Sequence, residues 1–555
     1  PYLQTQTAPP YFSQDLKAGE TQITGQCTEG GTVTVMVGDS IYETQSSGNT
    51  WSVTVPPLHG GDVVSVSVQA ADKMPSYSVY ATVTLPGSGT EQDPYLIATA
   101  DDLQAITSME GDAPYFKLTA DIELTEWIAG NNDGKGWIPV GGSSSGLRGH
   151  FDGDGHTISG LWTDETYEYG GLFAKVTQGA EVKDLHVEIA SGHTVSGTAY
   201  AGGIAGINDG SISGCTVTGD IAGGQYVGGI AGLSSNKIHQ CRHDGQITAT
   251  DASANVGGIA GNNSGEISEC KSEGSVTANG ASAQCGGIAG SNGADGNIHD
   301  CYGLSDVSAS GASSYAGGVV GYNSGITGRC YSAGNIAGAT VAGVCGYNSG
   351  ASATLGECVA INNRLEATKT ALRILGGYSS GSPAPAVDDN YALSTMQVSL
   401  NGIPQTVYDD PLNGKAMTMD LLQSKSTYEE YGWDFNETWS LDEGTSYPYL
   451  KVFDIPVTSV KLNFEEYSID IDSTMQLTVT VLPEDARNKA VKWTSTEPEV
   501  ATVSADGLVR GISAGKTTVT ATAVSGENVT ASCVITVLPR KASSITLDRK
   551  TIELE

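Results

Sequence analysis

The sequence GGIAGNNSGEISECKSEGSV, residues 257–276, decides the fold because its pattern recurs along the middle of the chain. A typical copy has a glycine pair followed by Ile-Ala-Gly, a polar turn, I-x-x-C and then G-x-[IV]. The glycine pairs begin at Gly170, Gly202, Gly228, Gly257, Gly286 and Gly317, at intervals of 32, 26, 29, 29 and 31 residues, and a looser copy follows at Gly343. A repeat of this length predicts a solenoid, in which each unit buries its apolar side only by stacking on its neighbours.

The repeat units are typical of strands rather than helices. Short β-branched runs, such as residues 216–218 and 275–277, stand between glycine and asparagine without the apolar spacing of a helix. The Asn-Ser-Gly turns end in Gly265, Gly325 and Gly350, which we expect to supply the positive φ of tight corners. One unit per coil therefore predicts an all-β chain with a right-handed parallel β-helix of about seven coils, spaced roughly 4.8 Å apart.

The repeated tetrapeptide GIAG, at residues 203–206, 229–232 and 258–261, resembles the GLUG repeat of bacterial surface proteins. Those proteins include adhesins and the amino-terminal regions of some IgA-cleaving metallopeptidases. The stretches GTEQDPYLI (89–97), YFKLTADI (115–122) and FDGDGHTISG (151–160) resemble the usual opening of the same architecture, and GWDF (432–435) with YPYL (447–450) resembles its closing segment. The resemblance implies a β-helix over residues 88–358 and a closing segment over residues 359–453.

One cysteine per unit occupies an equivalent position, at Cys215, Cys241, Cys270, Cys301 and Cys330, and Cys358 continues the series. A cysteine at one position of successive coils behaves as a small interior apolar residue, so we expect reduced, inward-facing thiols. Cys27 and Cys533 stand alone in their domains and are expected to be buried thiols. The sequence has no C-x-x-C pair of the kind that zinc sites use, and we predict no metal ligand.

Both ends of the chain show short alternating strands separated by turn signals, the pattern of a β-sandwich. In residues 454–540, the stretches WTST (493–496), VATV (500–503) and GKTTVTA (515–521) resemble the bacterial Ig-like domain, group 2. Residues 541–555 resemble the first strand of a further copy. Residues 1–87 give a similar all-β pattern and are predicted to be another bacterial Ig-like sandwich.

The chain is strongly acidic, with 62 acidic and 27 basic residues and a net charge of −35. This charge disfavours nucleic acid and anionic membranes as partners, and no apolar run is long enough to span a bilayer. Asp152-Gly-Asp154-Gly155 and the stretch NNDG at 131–134 are only fragments of calcium loops, so we predict no cofactor, with calcium as the open alternative. We expect a monomeric segment of an exported bacterial protein, secreted or attached at the cell surface.

The sequence provides no catalytic motif above the background expected from its composition. It lacks the H-E-x-x-H of the metallopeptidases that it otherwise resembles. The G-x-S-x-G matches lie in Gly- and Ser-rich turns rather than at a clear strand-to-helix elbow. Asp152 and Asp154 share one face of an extended segment, but acidic residues in glycine-rich corners are usually solvated turn formers. We therefore predict no catalytic residue, with a glycosidase or lyase as the alternative, because many β-helix proteins act on glycans.

Tyrosines provide the candidate binding surface. Tyr226 and Tyr315 stand two residues before a glycine pair, and Tyr200 lies close to one, so the three are predicted to form a stripe on one flank of the β-helix. Exposed tyrosines suit a sugar or a protein partner. The alternative is that they stack between coils and only protect the solenoid.

The resemblance to surface proteins implies adhesion or the binding of a host or community ligand, glycan or protein, with the Ig-like modules as a stalk. A glycan-active β-helix enzyme is the second interpretation, and a purely structural stalk is the third. The identity of the ligand does not follow from the residues.

Overall fold

The computed structural model describes residues 6–28, 30–109, 113–142, 146–350, 353–379, 386–484, 486, 488–524 and 529–540. The further Ig-like strand predicted at 541–555 lies outside the described residues. The chain divides into two compact units, the first comprising Pro1–Phe435 and Asp442–Tyr447 and the second Asn436–Leu441 and Pro448–Glu555.

The first unit begins with two antiparallel sheets. One contains Tyr11–Phe12, Gln22–Gln26 and Thr50–Thr54, and the other contains Ser40–Gln45, Thr32–Val37, Val63–Gln69 and Val79–Thr82. The strands alternate between buried and outward residues, so that Val33, Val35, Val64 and Val66 join Trp51 in one apolar core. This alternation is what a sheet with one buried face requires.

The rest of the first unit is a parallel β-solenoid built from three sheets. Following the chain from a glycine pair, each coil adds one strand to a first sheet, one to a second sheet and up to three to a third. The first sheet contains Phe173–Val176, Ala205–Asn208, Ala231–Ser234, Ala260–Asn263, Ala289–Asn292, Val320–Asn323 and Cys345–Asn348. The second contains Tyr95–Ile97, Tyr115–Leu118, His150–Asp152, Glu181–Lys183, Ser211–Ser213, Lys237–His239, Glu266–Ser268, Asn297–His299, Ile326–Gly328, Thr354–Gly356 and Ala386–Asp388.

The third sheet consists of three files of short strands, which we call the leading, middle and trailing files. In one coil they are Thr216–Thr218, Ile221–Gly223 and Tyr226–Gly228. The sheet comprises Ile122–Glu123, Thr157–Leu161, Tyr169–Gly170, His186–Ile189, Val195–Gly197, Tyr200–Gly202, Thr216–Thr218, Ile221–Gly223, Tyr226–Gly228, Arg242–Ala249, Asn255–Gly257, Lys271–Ala278, Gln284–Gly286, Tyr302–Gly303, Asp306–Ala309, Tyr315–Gly317, Tyr331–Ser332, Ile336–Ala342, Val359–Ala360, Arg364–Leu372, Tyr391–Leu393, Gln397–Leu400, Ile403–Pro404 and Lys415–Met417. The all-β class and the β-solenoid predicted from the repeat are therefore confirmed, and the sheets continue past Cys358.

Short helices lie near both ends of the solenoid. Ala100–Ala105 continues into the 3₁₀ turn Ile106–Ser108, and the hydroxyl of Thr99 accepts the backbone N–H of Asp102 to cap it. Thr125–Gly130 and the 3₁₀ turn Asn132–Gly134 follow. Met419–Leu422 and Lys425–Glu429 come after the last strand of the third sheet, and Tyr428, Trp433 and Phe435 pack there as a buried aromatic group.

The repeated glycines are required by close backbone approach, which corrects one expectation. A Cβ at Gly228 would overlap the carbonyl of Ala231, and one at Gly265 would overlap the carbonyl of Asn236 in the preceding coil. The prediction of positive φ at the Asn-Ser-Gly turns is wrong for Gly265 and Gly325, and only Gly350 has it, at 110°. Left-handed corners instead lie one residue before the cysteines, at Gln240, Glu269, Asp300, Arg329 and Glu357, with φ between 47° and 58°.

Two buried files run through the coils. The first file contains Cys215, Cys241, Cys270, Cys301, Cys330 and Cys358. All ten cysteines of the chain are free and buried, as predicted, and burial raises the pKa of Cys285 and Cys345, which lie outside this file, to about 12. The last positions of the first-sheet strands form a second file, in which Asn263 donates to Asn292 at 2.8 Å, Asn292 to Asn323 at 2.9 Å and Asn323 to Asn348 at 2.8 Å. The sequence did not suggest this asparagine ladder.

The second unit also consists mainly of strands. Trp439–Ser440 pairs with Tyr449–Leu450 ahead of the 3₁₀ turn Lys451–Phe453. Three sheets follow: Ser459–Leu462 with Val479–Leu482; Glu466–Asp470, Thr530–Leu538, Gly515–Ala523 and Val491–Ser495; and Thr474–Gln476, Leu508–Gly511 and Ala501–Val503. Ile469, Val509, Val519 and Ile535 share their core with Cys533.

Candidate functional site

The predicted tyrosines occupy one file on the outside of the solenoid. The first residues of the trailing strands pair in register from coil to coil, in the order Tyr169, Tyr200, Tyr226, Asn255, Gln284, Tyr315 and Thr340. Tyr200 and Tyr226 are therefore neighbours, whereas two polar residues separate them from Tyr315. We call the surface formed by this file and the adjacent outward residues of the first sheet the tyrosine flank.

Three rings at one end of the flank form a continuous stack. The ring centroids of Tyr169 and Tyr200 are 5.4 Å apart with planes inclined by 7°, and those of Tyr200 and Tyr226 are 5.3 Å apart at 16°. The expectation of exposed rings needs correction, because each is half-buried. The two faces of Tyr200 are covered by its neighbours, so this residue presents an edge and a hydroxyl to solvent.

A second tyrosine cluster lies at the other end of the flank. Tyr315 packs against Tyr347 with centroids 4.6 Å apart and against Tyr322 at 6.1 Å, and Tyr322 stacks on Tyr347 at 5.7 Å. Tyr322 and Tyr347 pair in register in the first sheet, a contact with Tyr315 that the repeat pattern did not predict. Burial raises the pKa of Tyr315 and of Tyr169, so these hydroxyls stay protonated at neutral pH.

Polar side chains separate the two tyrosine clusters. Asn255 and Gln284 lie in the trailing file, and Asn262 and Ser291 hold the matching outward positions of the first sheet. The flank thus alternates from aromatic to amide and back to aromatic along the axis of the solenoid. Groups at a regular spacing of about 4.8 Å per coil suit a ligand that is itself extended and repetitive.

The outer face of the second sheet carries a polar network that the sequence pattern did not predict. His239 Nδ1 lies 3.0 Å from the hydroxyl oxygen of Ser268, which donates to Glu266 at 3.0 Å. Asp300 accepts a hydrogen bond from Arg329 at 2.8 Å and lies 2.8 Å from His299 Nδ1. The hydrogen bond with Asp300 raises the pKa of His299. The network connects side chains of four successive coils. The hydroxyl of Ser268 is buried within it and is not presented as a nucleophile.

The carboxylates considered for catalysis or calcium already have basic partners. Asp152 pairs with Lys183 at 2.9 Å, and Asp154 pairs with Lys117 at 3.0 Å. An ammonium group on each carboxylate disfavours a bound cation there. Within the described ranges, no group of three or more His, Cys, Asp or Glu side chains could hold a metal ion.

The two histidines four residues apart, His239 and His243, face opposite sides of the coil. His239 lies on the outer face of the second sheet, whereas His243 is buried inside the solenoid. Its neighbours in the leading file are Val217 and Ser272. The pair therefore does not form a shared site.

Two parts of the chain match known families. Residues 456–534 match the bacterial Ig-like domain (group 2), and residues 197–222 match the GLUG motif. Both resemblances predicted from the sequence are confirmed. The GLUG match covers the coil that carries Tyr200 and the turns before and after it.

Curated relatives match over limited regions. A protein of Evansella cellulosilytica, described as a candidate Gly-rich membrane protein, is 33% identical over 139 residues, which cover 25% of this chain and 16% of that protein. Halomucin of Haloquadratum walsbyi is 34% identical over 144 residues, which cover 25% of this chain and 2% of halomucin. The chain therefore spans only a small share of these relatives.

Among solved structures, the crystal structure of a candidate immunoglobulin A1 protease from Bacteroides ovatus covers 66% of this chain and 94% of its own, at 22% identity and a TM-score of 0.37. That TM-score is too low to support an argument about topology or activity. In the part of the chain that the structure describes, no helix has the length and apolar character needed to cross a bilayer.

Proposed function

We propose that this chain is a ligand-binding segment of a bacterial surface protein, and that its tyrosine flank binds a glycan. The observation that carries the proposal is the gathering of Tyr169, Tyr200 and Tyr226 at one end of a single flank and of Tyr315 at the other, with amide side chains between them. Aromatic and amide groups are usual contacts for sugars. Because the stacked rings cover one another's faces, the contacts offered here are ring edges, tyrosine hydroxyls and amides, which bond sugar hydroxyl groups.

The regular spacing favours a glycan over a folded protein. A polymer of similar units can repeat the same contact on successive coils, and the flank offers ring edges, hydroxyls and amides beside the outward Ile207 and Leu233 of the first sheet. The net charge of −35 also disfavours binding of a strongly anionic glycan. A protein partner is the alternative outcome of the same binding experiment.

The extracellular location is part of the proposal. The group 2 Ig-like match, the GLUG match and the similarity to halomucin and to a Gly-rich membrane protein support it. In this arrangement the Ig-like modules, predicted at 1–87 and 454–540, act as a stalk that presents residues 88–453, and the chain is a monomer. We also propose that the solenoid winds right-handedly, because parallel crossover connections overwhelmingly do so.

A glycan array probed with the whole chain tests binding, and chromatography of the same mixtures tests turnover. We expect retention of one or more oligosaccharides, weakened at least tenfold by Tyr226→Ala and unchanged by Tyr408→Ala. Tyr408, which is 72% exposed and lies outside the flank, controls for the loss of a tyrosine as such. Because Tyr226 is half-buried, the circular dichroism spectrum of Tyr226→Ala must match that of the parent before the loss is assigned to the ligand. Undiminished binding by Tyr226→Ala, or no binding at all, would contradict the proposal.

Release of shortened products would favour the glycosidase or lyase interpretation, provided that one carboxylate or serine substitution abolishes it. Retention of a protein but of no sugar would favour protein adhesion. The absence of both ligands would favour a structural stalk.

A further inference from the structure

The turns between the middle and trailing files differ in length from coil to coil. Two residues make the turn at 198–199 and again at 224–225, whereas five residues make it at 250–254, 279–283 and 310–314. The longer turns read TDASA, NGASA and SGASS. The intervals of 26 and 29 residues between glycine pairs reflect this difference, since the three additional residues of the second coil lie in its turn.

The three long turns stack into a ridge. The backbone N–H of Ser282 donates to the carbonyl of Ala252 at 2.7 Å, and that of Ser313 donates to the carbonyl of Ala281 at 2.8 Å. These bonds continue the pairing of the sheet into the turns, so the ridge is a fixed part of the solenoid. Where it ends, the surface steps down to the two short turns.

This step leaves a concavity of about 590 Å³, which we call the notch. It is lined by small residues, among them Ala222, Gly223 and Gly224, and by the acidic residues Glu165 and Asp251. Threonine hydroxyls also line it, and none of the lining residues is basic or aromatic. The volume falls within the range of small-molecule sites, roughly 300–1,000 Å³.

The notch adjoins the tyrosine stack directly. Gly224 and Gln225 form the turn that leads into Tyr226, and the amide of Gln225 donates to the Tyr226 hydroxyl at 3.3 Å. An extended ligand can therefore lie on the stacked tyrosines and place one unit in the notch.

We propose that the notch binds one uncharged sugar unit of the glycan and selects against acidic sugars. The inference rests on the proposed function and adds a subsite to it. Carboxylates accept hydrogen bonds from sugar hydroxyls, and charge-assisted bonds of this kind are about twice as strong as neutral ones. The same carboxylates repel a uronate or a sulfate, and no basic side chain of the lining offsets that repulsion.

The first test fills the notch with a larger side chain in the whole chain and measures the binding of oligosaccharides. The probes are neutral oligosaccharides from cellulose, mannan and arabinan, and acidic ones from polygalacturonate and heparin. Ala222→Phe and Thr198→Trp each place a ring in the notch, the second from an exposed lining position. Ala337→Phe is the matched control, because Ala337 holds the same position of the middle file at the far end of the ridge.

We expect both filling variants to weaken neutral-sugar binding at least tenfold while Ala337→Phe binds as the parent does. If Tyr226→Ala loses binding but both filling variants keep it, the notch is not a subsite and the proposed function stands. If the parent chain binds no sugar, both proposals fail.

Charge removal provides the second test. The double variant Glu165→Gln/Asp251→Asn should bind the acidic probes at least threefold more tightly than the parent, with a smaller gain at high salt. Glu126→Gln/Glu188→Gln, which also removes two exposed carboxylates but outside the notch, is the control. An equal gain in the control would assign the effect to net charge and overturn the role of the notch in selection.

Discussion

His243 Nε2 lies 3.0 Å from the carbonyl oxygen of Gly219 inside the solenoid. Burial lowers the pKa of His243 from 6.5 to about 4, with a partly opposing effect of the Gly219 carbonyl and of Asp244 and Asp220. The ring is therefore neutral at physiological pH and donates its Nε2 hydrogen to the carbonyl. The equivalent position one coil earlier is Val217.

We predict that His243 makes the solenoid acid-sensitive. Between pH 6.5 and about 4 the unfolded chain binds a proton at this position that the folded chain does not, so the free energy of unfolding falls as the pH falls. The full effect is on the order of 3 kcal/mol. Denaturant titrations between pH 6.5 and about 4 give the free energy of unfolding at each pH. Its dependence on pH should be weaker in His243→Val than in the parent, and an equal dependence would show that His243 is not the group responsible.

The stacked tyrosines should be coupled in stability. Since Tyr200 and Tyr226 are half-buried and stacked at 5.3 Å, replacing either by Ala should destabilise the fold. A double-mutant cycle of Tyr200→Ala and Tyr226→Ala should give a coupling energy of about 0.5–1.5 kcal/mol. The same cycle on Tyr226 and the exposed Tyr408 should give none. A coupling energy near zero for the stacked pair would show that the rings do not support each other.

The repeat predicted the solenoid. The equivalent positions of Tyr200, Tyr226 and Tyr315 within their repeat units predicted that these three residues share a file. The asparagine ladder was not predicted, because inward and outward residues do not strictly alternate along the first-sheet strands. In Ala260–Asn263 the third residue points outward and the fourth is buried, so a period of two misplaces Asn263. The notch was not predicted, because it depends on a difference in turn length between repeat units. The repeat itself is defined only by the residues that its copies share.

The asparagine ladder should contribute strongly to stability. Asn292 accepts from Asn263 and donates to Asn323 and to the carbonyl of Ile326. Replacing it by Ala leaves buried polar groups unsatisfied, at about 3 kcal/mol. Asn262→Ala, at a half-exposed position of the neighbouring strand, should cost less than about 0.5 kcal/mol. Urea denaturation at neutral pH compares the two, and equal losses would remove the special role of the ladder.

The cysteines should remain thiols that react only after unfolding. All ten are buried, so a reagent reaches them only when the chain opens. For Cys285 and Cys345, burial also raises the pKa to about 12. A thiol reagent should therefore titrate few groups in the native chain and about ten in denaturant without reductant. Three or more disulfides found by mass spectrometry would contradict this prediction.

The predicted domain boundaries lead to a test by fragments. Residues 454–540 should fold alone, because Ile469, Val509, Val519 and Ile535 form a core that lies within them. A fragment of one coil, residues 228–257, should stay unfolded, since its apolar side is covered only by neighbouring coils. Circular dichroism and NMR dispersion measure both. A folded coil fragment would show that the repeats do not depend on stacking, whereas an unfolded 454–540 fragment would place the boundary elsewhere.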